Sequence, residues 1–170
     1  TSYGDSPYQA FSTFAGNPYF IDLDTLIADD LLTQTEVDAC AWGTEPRYVD
    51  YGKIYESRFA LLEKAKARGW SRDREAVAAF EAENARWLPD YALFMALKRH
   101  FGMKSWTEWE DEDIRLRKPA AMAKYRELLR EDIELFTYIQ YLFFEQWTKL
   151  KAYINDLGIG TVSYTHLRAH

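Results

Sequence analysis

Cysteine occurs once in these 170 residues, at Cys40. The chain can therefore form neither an internal disulfide nor a cysteine-built metal cage, which suits a reducing, cytoplasmic setting. No stretch approaches the roughly 20 consecutive apolar residues of a membrane span, and the opening T-S-Y-G-D lacks the basic-then-apolar layout of a signal peptide. Cations are in the minority: 21 Lys and Arg face 27 Asp and Glu, for a formal net charge of −6. That balance argues against nucleic acid and against an anionic membrane, since both need clustered cations that displace counterions. Histidine is scarce as well. His166 and His170 stand four apart but have no third ligand nearby, so no metal site is expected.

What is present is 48% apolar and 16% aromatic, with 28% charged residues, the composition of a globular chain that can build a core. The stretch Thr1 to Asp24 sets six aromatic rings among Gly4, Asp5, Ser6, Pro7, Gly16, Asn17 and Pro18, with no helical period. Turn chemistry mixed with rings reads as a loop that presents ring faces to a ligand, although rings packed inward satisfy the composition equally. A neutral partner fits the charge, and sugars are neutral ligands gripped by ring faces, carboxylates and amides.

Downstream the punctuation is helical. Ile21-Asp22-Leu23-Asp24 alternates and suggests a short strand or extended arm, after which Asp24 to Ile27 opens a helical turn. Thr33 with Glu36 has the form of a capping box. Asp50 is placed to cap a helix running to about Arg68 and stopped by Gly69, and Ser71 and Asp73 offer caps for a helix through Asn84. Pro89 suits the first turn of a third helix that ends near Phe101 before Gly102. The acidic run from Glu108 to Asp113 reads as a solvated connector. From Pro119 the pattern predicts helix almost to Asp156, one long element or two, with Gly158 as the stop. Its stripe steps by three and four through Leu129, Ile133, Phe136, Ile139, Phe143, Trp147, Leu150, Ile154 and Leu157. Rings at helical spacing on that stripe read as core.

Several segments together resemble one family. Tyr3-Gly4-Asp5-Ser6-Pro7-Tyr8-Gln9, Phe11 to Tyr19 and Ile21-Asp22-Leu23 resemble the signature of the amylomaltases, the bacterial and plant 4-alpha-glucanotransferases of glycoside hydrolase family 77. Val49-Asp50-Tyr51-Gly52, Trp87-Leu88 with Asp90 to Phe94, and Gln140 to Phe144 with Gln146-Trp147 extend the likeness to about Ile159.

The resemblance implies a piece of a (β/α)8 TIM barrel with a helical insertion, mainly α as given. It divides the chain into a substrate-loop and arm segment (1–48), the insertion (49–118), a long barrel-packing helix (119–159) and, where the sequence departs from the family, a tail (160–170) expected to be non-native. The absent initiating Met and a start inside the signature loop likewise suggest a fragment. It implies a retaining transfer of α-1,4-glucan segments between malto-oligosaccharides, with no cofactor, no nucleic acid and no membrane partner. The family's Arg-x-Asp-His, Ala-Glu-Asp-Leu-Gly and Thr-His-Asp segments, which carry its carboxylates, do not occur here, so no catalytic residue is nominated and the chain alone is expected to be inactive.

Substrate contact carries over to Tyr8, as the ring against the sugar at the scissile bond, to Ser6 and Asp5 beside it, and to Tyr3 in an outer groove. Asn17 and Pro18 are expected to fix a turn behind the loop. Two other readings stand beside this one: an independent helical module that binds glucan or protein, and a piece of a related α-glucan hydrolase. An independent module should bury the stripe from Phe143 to Leu157, whereas a barrel piece should leave it poorly covered.

Overall fold

The computed structural model describes residues 10–43, 45 and 47–160. Among the described residues there are helices and no strands, which gives the mainly α chain expected from the sequence. The chain divides into two compact units, one from Thr1–Arg74 with Ile139–His170, the other from Glu75–Tyr138. The expected tail beyond residue 160 lies outside the described residues.

In the first unit α1 (Leu23–Ala28) starts where Asp22 accepts a hydrogen bond from the Thr25 amide at 3.0 Å. The alternation at Ile21 to Asp24 is therefore neither strand nor arm. It is a cap followed by a helix that buries Leu23 and Leu26, because an N-cap aspartate between apolar neighbours mimics period two over four residues. The expected capping box opens α2 (Gln34–Asp38): Thr33 Oγ1 accepts from the Glu36 amide, and Glu36 accepts from the Thr33 amide.

Asp50 caps α3 (Tyr51–Gly69) through the Lys53 amide at 3.1 Å. Leu61, Leu62 and Ala65 of α3 are fully buried; each leucine contributes about 2 kcal/mol by leaving water. Near its end Arg68 donates to both carboxylate oxygens of Glu36, at 2.7 and 2.8 Å, and to the Leu31 carbonyl. The Arg68 guanidinium holds the Glu36 carboxyl well below the usual range.

The second unit contains α4 (Arg74–Glu83) from Glu75 onward, then α5 (Leu88–His100), with Pro89 in its first turn. Gly102 and Met103 follow with φ of 64° and 61°, a left-handed turn that stops α5. A one-turn 3-10 helix (Trp106–Glu108) leads to α6 (Glu112–Arg115) and α7 (Pro119–Leu128). In the acidic run Glu108, Glu110, Glu112 and Asp113 are exposed, as expected of a solvated connector. Asp111 is the exception: it caps α6 through the Asp113 and Ile114 amides and accepts from the Tyr125 hydroxyl at 3.0 Å. Rings from Phe94, Phe101, Trp109 and Tyr125 meet around this tie, with Phe101 stacked on Trp109 at 5.3 Å.

The predicted helix from Pro119 is two elements, α7 and α8 (Arg130–Asp156), parted at Leu129, whose φ and ψ are −107° and 23°. Nothing in the structure explains the break, and i to i−4 hydrogen bonds continue on either side of it. Up to Tyr138, α8 belongs to the second unit; from Ile139 it belongs to the first. Gly158, with φ of 74°, ends it. No helix among the described residues is long and apolar enough to cross a membrane.

Candidate functional site

The four residues expected to touch sugar, Tyr3, Asp5, Ser6 and Tyr8, lie outside the described residues. What the structure describes is the rest of their loop, from Ala10, and the supports beneath it. Ser12 Oγ accepts from the amides of Phe14 and Ala15, closing a local turn. Asn17 does the same for the next one: its Oδ1 accepts from the Tyr19 amide at 3.0 Å, opening a 3-10 turn at Pro18–Phe20. The rings divide between the two arrangements that composition left open, for Phe14 and Phe20 face solvent while Phe11 and Tyr19 are half-buried.

Three long side chains from the helices hold this segment. Gln140 of α8 accepts from the Gly16 amide at 2.7 Å and donates to the Gly16 carbonyl at 3.1 Å. Six residues on, Gln146 accepts from the Asp22 amide at 2.7 Å and donates to the Asp22 carbonyl at 3.0 Å. Between them Arg58 of α3 donates to the Ile21 carbonyl, with its guanidinium 5.9 Å from the centre of the Trp42 ring. Burial pushes the Arg58 guanidinium below its ordinary pKa.

Gly16 has no alternative here: a Cβ at that position would sit 2.0 Å from Cδ1 of Phe143. Tyr19, Phe20, Asp22, Val37, Trp42 and Arg58 border an open cleft of about 450 Å³ beside this segment.

Three carboxylates are clearly held low: Asp22 by the Thr25 hydroxyl, Glu36 by Arg68 and Asp111 by the Tyr125 hydroxyl. A general acid at neutral pH needs the opposite shift, so these three serve as structural ties. No group of three metal-ligating side chains occurs among the described residues. Gln140, Gln146 and Arg58 are supports that the sequence pattern did not single out. A polar amide on an otherwise apolar helix stripe was the available signal for Gln140, because a buried amide requires partners.

Comparison with known proteins places this arrangement in context. The sequence model of the 4-alpha-glucanotransferase family matches residues 1–163. A 4-alpha-glucanotransferase of Streptococcus pneumoniae is 47% identical over 163 residues, which is 95% of this chain and 32% of the relative. One of Clostridium butyricum is 45% identical over 159 residues, covering 94% of this chain and 32% of its own length. The solved structure of an amylomaltase from Streptococcus agalactiae in complex with acarbose superimposes with a TM-score of 0.88 at 41% identity, over 94% of this chain and 32% of that one. The chain thus spans about a third of the length of these relatives.

Proposed function

Because the chain belongs to the 4-alpha-glucanotransferase family, we propose that it is the loop-bearing portion of a cytoplasmic enzyme that moves α-1,4-glucan segments between malto-oligosaccharides by retaining double displacement. In that chemistry one carboxylate attacks the anomeric carbon while a second group protonates the departing glucan. The covalent glucosyl enzyme then passes to the 4-hydroxyl of another sugar. Both groups belong to parts of the enzyme beyond this chain, so the chain alone performs no transfer. Its own contribution is substrate contact: the Tyr8 ring lies against the sugar at the scissile bond, Ser6 and Asp5 flank it, and Tyr3 lines an outer groove. Residues 1–48 form the loop and arm, 49–118 the helical insertion and 119–159 a barrel-packing helix of a (β/α)8 parent.

One observation carries the reading of a part over that of a self-sufficient module. The stripe is covered at Ile139 (0% exposed) and half-buried at Phe143, Trp147 and Ile154, but open at Leu150 (49%) and, just past the end of α8, at Leu157 (58%), with Tyr153 exposed beside it at 65%. A self-sufficient domain would cover such a stripe, since each leucine left in water forgoes about 2 kcal/mol.

The test is to supply the parent enzyme with maltotriose alone. Transfer produces glucose and longer malto-oligosaccharides with no net gain in reducing ends, and the 170-residue chain by itself produces neither. A steady rise in reducing ends would instead mark a hydrolase, and an inert parent would end the proposal.

A further inference from the structure

We propose that Gln140 and Gln146 are positioning residues that hold the aromatic loop in one register for sugar binding, Gln140 through Gly16 and Gln146 through Asp22. Each primary amide engages both the N–H and the C=O of a single backbone residue, as a hydrogen-bonded neighbour does in an antiparallel ladder. The two amides stand six residues apart on α8, a rise of about 9 Å, and their two targets stand six residues apart in the loop. An extended six-residue segment would span about 20 Å. The turn at Pro18–Phe20, capped by Asn17, shortens the segment between the two targets.

Packing alone does not ask for an amide at this place. Gln140 is fully buried between the apolar Ile139 and Leu142, where leucine would fill the same volume. Gly16 satisfies this buried amide through both of its own backbone groups, and a slip by one residue forfeits both of those bonds. Phe143 enforces the same register sterically, because any residue other than glycine would collide with its ring. The segment so clamped begins eight residues after Tyr8 in the sequence. The sugar-contacting role of that loop rests on the function proposed above.

The experiment uses the parent enzyme with maltotriose as substrate. Gln140→Leu and Gln146→Leu should each raise KM about tenfold with kcat within about twofold, the pattern of lost binding rather than lost chemistry. Gln140→Glu gives a second readout. Its ionised carboxylate cannot donate to the Gly16 carbonyl, whereas its protonated form both donates and accepts, so its KM relative to wild type should fall toward one as pH is lowered. If Gln140→Leu does not fold, the half-buried Gln146 carries the test. Variants that melt earlier yet keep the wild-type KM would reduce both glutamines to structural roles and overturn the inference. A wild-type parent that leaves maltotriose unchanged would overturn the glucanotransferase reading and this inference together, an outcome distinct from the first.

Discussion

Replacing Gly16 with alanine should destabilise the chain by about 3 kcal/mol, the upper end of the range for overpacking a fitted site. The added Cβ would lie 2.0, 2.3 and 2.3 Å from Cδ1, Cε1 and Cγ of Phe143. Cγ lies on the axis about which the ring flips, so a flip cannot clear the methyl, and either Phe143 leaves its rotamer or the backbone of residue 16 withdraws. Withdrawal breaks both bonds to Gln140, a buried amide. The check is a urea melt of Gly16→Ala beside the double variant Gly16→Ala/Phe143→Ala. Removing the ring should make the alanine nearly harmless, so the two sites should couple by well over 1 kcal/mol. Additive effects would show that the collision is not what Gly16 avoids.

Lys98→Met should cost the second unit about 2 kcal/mol. Lys98 is buried, 4% exposed, and its Nζ donates to the carbonyls of Met103 at 2.9 Å and Lys104 at 3.0 Å. Those carbonyls belong to the left-handed turn that ends α5, in which Met103 holds φ of 61° without the freedom of glycine. Methionine keeps the apolar stem and removes the charge-assisted bonds, so the change isolates the head group from the packing. Thermal melts of Lys98→Met and of the paired Lys98→Met/Met103→Gly read the effect, and the glycine should recover part of the loss by relieving the turn. A single variant as stable as wild type would show that the turn holds itself.

Much of this architecture was legible because its signals are local. The Thr33 and Glu36 box, the Asp50 cap, Pro89 in the first turn of α5 and Gly102 and Gly158 at helix ends each act across a few residues. The same locality misled at Ile21 to Asp24, where a cap and the first turn of α1 gave the alternation of a strand. It offered no warning at Leu129, which has the residues of a continuous helix on both sides and still leaves it.

Of the candidate site, the residues proposed to contact sugar come from resemblance alone, while its supports were not legible. Gln140 meets Gly16 and Gln146 meets Asp22 across 124 positions, and periodicity reports only which face of a helix is apolar. The open end of the apolar stripe was expected of a barrel piece through the resemblance, and the pattern by itself did not show it. An apolar pattern predicts that a face needs cover, and does not say whether the same chain supplies it.

The proposed function makes the loop that opens this chain a sugar-contacting surface of a glucanotransferase, with Tyr8 as its main ring. Calorimetric titration of the parent enzyme with acarbose, wild type against Tyr8→Ala, tests it most directly. Loss of a ring face against a partly cationic sugar analogue is worth about 1.4 kcal/mol, so Kd should rise about tenfold, with Tyr8→Phe close to wild type. A Tyr8→Ala enzyme that binds acarbose as tightly as wild type would place sugar recognition elsewhere and contradict the account.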